Sequence, residues 1–85
     1  MSIIKKTEDV LLFLKKFDVQ GVINVDIVSY HHVTRIMVRN HSEVKRVLNI
    51  LQPGSTLELI KIDDGYLSKV LYCNIELYCV SEDLK

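Results

Sequence analysis

The chain has 85 residues, of which 48% are hydrophobic and 26% are charged. A chain of this length forms one domain with one thin core, so the sequence excludes a deep cavity for a large cofactor. Lys and Arg together number 11, and Asp and Glu together number 11. This zero net charge disfavours binding to nucleic acid or anionic membrane, which depends on accumulated positive charge.

No apolar run reaches the about 20 residues of a membrane span, and residues 1–6 do not resemble a signal peptide. We therefore expect a cytoplasmic protein that does not enter a membrane.

The first predicted element is a helix over residues 7–17. Thr7 is a favourable N-cap residue, and Lys15 and Lys16 place positive charge in the last turn, where the helix dipole favours it. The buried side of this helix is marked by apolar residues at helical spacing, namely Val10, Phe13, Leu14 and Phe17.

A hairpin is predicted over residues 21–39. Apolar and polar residues alternate through both halves of this segment, which is typical of strands with one buried face. The simplest link between the two strands is a turn at His31 and His32. The residues expected to point into the core are Ile23, Val25, Ile27, Ile36 and Val38.

A second helix is predicted over residues 41–52. Asn40 is suited to cap this helix, and Glu43 stands three residues later, as in a capping box. Pro53 and Gly54 end the helix. Its buried stripe consists of Val44, Val47, Leu48 and Leu51, which again recur at helical spacing.

A second hairpin is predicted over residues 56–80, followed by a polar tail over residues 81–85. The Asp-Asp-Gly sequence of residues 63–65 is a strong turn signal, and it separates a strand over residues 56–62 from a long strand over residues 67–80. In one continuous strand, alternate residues point into the core. These residues are Leu71, Cys73, Ile75, Leu77 and Cys79.

Together these elements predict one α+β domain over residues 1–85. Its element order is αββαββ, with a four-stranded, mainly antiparallel sheet and two helices on one face. Cys73 and Cys79 lie about 20 Å apart in one extended strand, whereas a disulfide needs Cα atoms within about 7 Å. We therefore expect both cysteines to be reduced and buried, and we expect no cofactor and no bound metal.

The second face of the predicted sheet is also partly apolar and is the most informative feature for function. Tyr, Met and Arg are enriched at protein interfaces, and a small domain of zero net charge gains buried area by dimerising. The sequence therefore favours a non-enzymatic protein-interaction module, such as a phage-type or accessory inhibitor or regulator, which binds another protein and forms a homodimer through this face. The interface candidates are Val33, Arg35, Met37, Arg39, Val70, Tyr72 and Tyr78.

Two other functions stay open as alternatives. In the first, a basic cluster beside tyrosines binds nucleic acid, and its residues are Arg35, Arg39, Lys45 and Arg46. In the second, a metal-dependent or enzymatic site is formed by His31, His32 and His41. The zero net charge disfavours the first alternative. For the second, the histidine spacing matches no metal motif and the chain contains no nucleophile motif, so both alternatives rank below protein binding.

Overall fold

The computed structural model describes residues 3–27 and 33–82, which form two helices and five strands. In chain order these are α1 (Ile3–Phe17), β1 (Val22–Asp26), β2 (Thr34–Val38), α2 (His41–Leu51), β3 (Ile60–Ile62), β4 (Gly65–Tyr72) and β5 (Ile75–Ser81). The predicted turn at His31 and His32 lies outside the described residues, as do the last three residues of the predicted tail. The prediction of an α+β fold with two helices is confirmed.

The strands form one sheet in the order β1-β2-β5-β4-β3. The β2–β5 pair is parallel, and the other neighbouring pairs are antiparallel. Along the chain, α2 and the β3–β4 hairpin separate β2 from β5, and parallel neighbours need a crossover connection of this kind. The prediction of four strands is therefore wrong, because the sheet has five strands and is mixed.

The fifth strand arises because a turn divides the long strand predicted over residues 67–80. Cys73 and Asn74 have positive φ angles of 49° and 64°, the conformation that both central residues adopt in a two-residue type I′ hairpin turn. Tyr72 and Ile75 pair across this turn. Asn adopts positive φ more readily than most residues, whereas Cys is not a turn residue, so the alternating pattern concealed the break.

The turn reverses which residues of β4 face the core. Leu71 is 61% exposed and Cys73 is exposed, although an unbroken strand would bury both. Val70 joins the core instead, and Tyr72 packs against it, with its ring edge-on to Phe17 at a centroid distance of 5.6 Å. The predicted facing is wrong for these β4 and turn residues. It is confirmed for β5, where the buried alternate residues are Ile75, Leu77 and Cys79.

The first helix begins earlier than the sequence predicts. It starts at Ile3 rather than at Thr7, so Thr7 is not an N-cap. An ion pair between Lys5 and Asp9, with 3.4 Å between Nζ and Oδ1, joins residues one helical turn apart on either side of the predicted start. Such a pair supports helix in this segment.

The two edge strands also differ from the prediction. β3 begins at Ile60, later than predicted, because the chain before it directs Leu57 towards the core instead of extending the sheet. In β1 the register shifts between Val22 and Asn24, and this bulge leaves Ile23 56% exposed rather than inward. The predicted inward facing is confirmed for Val25 and Ile27, which pack against the core.

Both helices lie on one face of the sheet and share a single core with it. Along β2 and β4 the core residues have even numbers, and along β5 they have odd numbers, as the strand register requires. The cluster consists of Val10, Phe13, Phe17, Ile36, Val38, Val44, Val47, Val70, Ile75, Leu77 and Cys79. We call the sheet face that carries this core the covered face, and the opposite face the open face.

The end of α1 is held by two side chains of α2. Arg46 donates through Nη2 to the carbonyl oxygens of Phe17 and Asp18, which belong to the helix end where carbonyls lack intrahelical donors. Glu43 accepts the backbone N–H of Gln20 and two hydrogen bonds from Arg46, at 2.7 Å from Nε and 2.9 Å from Nη2. These bonds fix the α1–β1 connection against α2.

Replacing Glu43 by Gln is expected to lower the free energy of unfolding by about 1 kcal/mol at neutral pH, because the charge-assisted hydrogen bonds are lost. The hydrogen bond from Arg46 lowers the pKa of Glu43 in the folded protein. The stabilisation is therefore fully present above the usual Glu pKa of about 4.3 and is lost as the pH falls through the lower folded pKa. In urea titrations, the stabilities of wild type and Glu43→Gln should converge across this range.

The control for this experiment is Glu58→Gln, which removes an exposed carboxylate outside the helices and strands. It should leave the pH dependence of wild type unchanged. A difference between wild type and Glu43→Gln that stays constant from neutral to acidic pH would contradict the lowered pKa.

Candidate functional site

The open face is built from the residues that alternate with core residues along each strand. Cross-strand pairing sets them in rows: Arg35 lies beside Glu76, and Met37 lies beside Tyr78, which in turn lies beside Lys69. Both helices lie on the covered face, so they leave this side of the sheet uncovered. The open-face residues of the four strands from β2 to β3 include Arg35, Met37, Ile60, Leu67, Lys69, Leu71, Glu76, Tyr78 and Val80.

The centre of the open face is a charged group built over an aromatic ring. Arg35 donates through Nε to Glu76 at 2.7 Å, and its guanidinium carbon lies 4.2 Å from the centroid of the Tyr78 ring. Lys69 approaches the other oxygen of Glu76 at 3.9 Å. Stacking over a ring and pairing with a carboxylate fix the orientation of the guanidinium. An exposed arginine is therefore held in a defined position on this face.

Exposure differs strongly among the members of this group. The side chain of Glu76 is 17% exposed, whereas that of Arg35 is 44% exposed and that of Lys69 is 51% exposed. Tyr78 is only 9% exposed although no helix covers it, because it lies beneath the guanidinium. Two half-exposed cations thus share one largely buried carboxylate.

An aliphatic row adjoins this charged group. Ile60 pairs with Leu67 across β3 and β4, and Leu67 pairs with Val80 across β4 and β5. Ile60 is 38% exposed and Val80 is 43% exposed, with the half-buried Leu67 between them, so the row presents apolar surface on three neighbouring strands. We call these three residues the aliphatic row. Adjacent exposed apolar side chains mark interaction surfaces more often than isolated ones do.

The structure brings together three of the predicted interface candidates. Arg35, Met37 and Tyr78 lie side by side on β2 and β5 of the open face. Val33 and Arg39 flank the ends of β2 and are half-buried and exposed respectively. The remaining two candidates, Val70 and Tyr72, lie on the covered face, where they contact the core, because the turn after β4 reverses the facing of that strand.

Leu67 and Val80 of the aliphatic row were not among the interface candidates predicted from the sequence. Leu67 and Val80 lie on the open face because β4 and β5 form a hairpin, with Leu67 opposite Val80. The signal that would have revealed them is Asn74, since Asn favours the positive φ of a type I′ turn. A turn at that position sets the register of both strands and with it the row.

The candidate nucleic-acid residues are not gathered on one surface. Arg35 lies on the open face, paired with Glu76, whereas Lys45 and Arg46 belong to α2 on the covered side. Arg46 is engaged by Glu43 and by the end of α1. The basic cluster predicted from the sequence is therefore divided between two sides of the molecule.

The histidine alternative is represented in the described residues by His41 alone. His41 is 2% exposed, and its Nδ1 lies 2.6 Å from Oγ of the buried Ser68. Its Nε2 is buried and has no hydrogen-bond partner among the described residues. Within residues 3–27 and 33–82, no group of three or more His, Cys, Asp or Glu side chains is placed to hold a metal ion. The His41–Ser68 pair connects α2 to β4 inside the core, where a substrate has no access.

Comparison of the chain with protein-family models, with curated proteins and with solved structures yields no match. Neither of the described helices has the length and apolar character needed to cross a membrane. A functional assignment therefore depends on the surface geometry of the chain itself.

Replacing Ser68 by Ala is expected to lower the free energy of unfolding by about 1–3 kcal/mol, because it leaves both ring nitrogens of His41 buried without a partner. The double variant His41→Leu with Ser68→Ala removes the polar atoms on both sides. It should be more stable than Ser68→Ala alone, since replacing both partners by apolar groups of similar size is close to neutral. Chemical denaturation of wild type, both single variants and the double variant measures the interaction free energy between the two side chains. Additive destabilisation would show that the two side chains do not act as a pair.

Proposed function

We propose that this chain is a non-enzymatic protein-interaction module that binds another protein through the open face. The observation that carries the proposal is the aliphatic row beside the Arg35–Tyr78 stack, on a sheet face that the helices leave uncovered. A row of exposed aliphatic side chains loses contact with water when a partner covers it, which favours association by about 25 cal/mol per Å² of apolar area.

The side chains next to the aliphatic row support this proposal. Arg and Met are enriched at interfaces, and Arg is a frequent energetic anchor. Arg35 is already oriented by Tyr78 and Glu76. Association therefore requires less loss of side-chain freedom than it would for a mobile arginine.

The charges on the open face indicate the chemistry of the partner. Arg35 and Lys69 share the single carboxylate of Glu76 and are far more exposed than it is. A partner that presents an apolar ridge with an acidic side chain beside it would cover the aliphatic row and pair with these cations. Such pairing gives specificity and faster association more than it gives affinity.

The test is photo-cross-linking from the open face. A benzophenone amino acid in place of Val80 should form one discrete adduct with a second protein in extract of the source organism. The matched control carries the same group in place of Ile50, an aliphatic residue of α2 that is 52% exposed, against 43% for Val80. The control should not form that adduct, because α2 lies on the covered side.

A second change distinguishes specific binding from adventitious reaction. Leu67→Lys places a charge within the aliphatic row and should remove the adduct while the circular dichroism spectrum stays that of wild type. Equal adducts from positions 80 and 50, or persistence of the adduct in Leu67→Lys, would overturn the proposal. Adducts from position 80 that contain only two copies of this chain would also overturn it, and would instead favour the self-interface predicted from the sequence.

A further inference from the structure

The outer side of α1 exposes aliphatic side chains that have no role in the core. Ile4 is 73% exposed, Leu11 is 55% exposed and Leu12 is 64% exposed. At about 100° per residue, these residues fall on one side of the helix together with Glu8 and Lys15. The solvent side of a surface helix is normally polar. We call these five residues the outer stripe.

The centre of the outer stripe has the geometry of a helix-packing site. Glu8, Leu11, Leu12 and Lys15 stand at positions i, i+3, i+4 and i+7, and they line a shallow depression of about 310 Å³. In knobs-into-holes packing, a side chain of one helix inserts among four such residues of the facing helix. The outer stripe therefore fits another helix, and a leucine is a suitable side chain to enter it.

The charges of the outer stripe are complementary to a second copy of the same stripe. Glu8 lies one turn before the two leucines and Lys15 lies one turn after them. If two α1 helices run antiparallel about a twofold axis between Leu11 and Leu12, Leu11 meets Leu12 of the second copy, and Glu8 meets Lys15 of the second copy. In a parallel arrangement each charge would meet its own kind, which is unfavourable. Among the described residues, neither Glu8 nor Lys15 has an ion-pair partner within its own copy.

We propose that two copies of this chain form a dimer through their antiparallel α1 helices, with the twofold axis at Leu11 and Leu12. A twofold contact of this kind uses the same patch on both subunits. Two leucines and two charged side chains per copy lie in this contact, so the interface is smaller than the about 800 Å² per partner of a standard complex. We therefore expect a weak dimer whose population depends on the protein concentration.

This dimer uses a different side of the molecule from the open face, because α1 lies on the covered side of the sheet. Both surfaces are accessible at the same time, so each dimer presents two open faces. The inference does not depend on the proposed function, and either one stands if the other fails.

The test is sedimentation equilibrium at a series of protein concentrations. The average mass should rise with concentration from the monomer value of 9.8 kDa towards twice that value. Glu8→Lys and Lys15→Glu each replace an attractive contact by a repulsive one at both ends of the interface. Each single variant should weaken dimerisation at least about tenfold, and the double variant Glu8→Lys with Lys15→Glu should restore it to within about threefold of wild type. Both sites are exposed on the helix surface, and circular dichroism verifies that each variant is folded.

The control is Val80→Lys, which charges the open face and should leave dimerisation unchanged. A wild-type chain that stays monomeric at every concentration would overturn the inference. So would a folded double variant that dimerises no more tightly than the single variants. Loss of the dimer in Val80→Lys would assign self-association to the open face and would likewise contradict pairing through α1.

Discussion

Two helices cover one face of a five-stranded sheet, and the surface chemistry of the molecule depends on this one-sided packing. The strands β2, β4 and β5 direct alternate side chains into a core shared with α1 and α2, and the intervening side chains are left on the other side. A short chain buries less of its surface than a large one. The uncovered side therefore carries aliphatic residues that larger α/β domains would place under further helices.

The position of α1 is set by polar contacts as well as by apolar packing. Arg46 and Glu43 of α2 bind the backbone at the end of α1 and at Gln20, so the two helices hold a defined relative orientation. Because Phe13 and Phe17 face the core, the opposite side of α1 faces solvent. The same contacts thus fix the direction in which the outer stripe faces solvent, and they engage Arg46 in binding the end of α1.

The helices were the most predictable part of the fold, because their buried stripes lie close together in the chain. Their start signals were less reliable: Thr7 lies within α1, and Asn40 precedes α2 without a side-chain capping hydrogen bond. Val44 and Val47 are buried as their spacing predicts, and α2 ends one residue before the predicted end. The sheet was less predictable, since the parallel pairing of β2 with β5 joins segments far apart in sequence and leaves no local pattern. One turn had the largest effect: Cys73 and Asn74 reverse the facing of β4, so the open face could be only partly predicted. Arg35, Met37 and Tyr78 were found from residue type, whereas Leu67 and Val80 required the register.

The facing of β4 and β5 decides which side chains form the open face, and the two cysteines report on it directly. With a turn at Cys73, that thiol is exposed, whereas Cys79 is buried and burial raises the pKa of its thiol. The most direct measurement is the reaction of the native protein with a colorimetric thiol reagent. One thiol should react rapidly and the other only as fast as the protein unfolds, and Cys73→Ser should remove the rapid phase alone. Two slow thiols in the native protein would show that Cys73 lies in the core of an unbroken strand, and would contradict the open face described here.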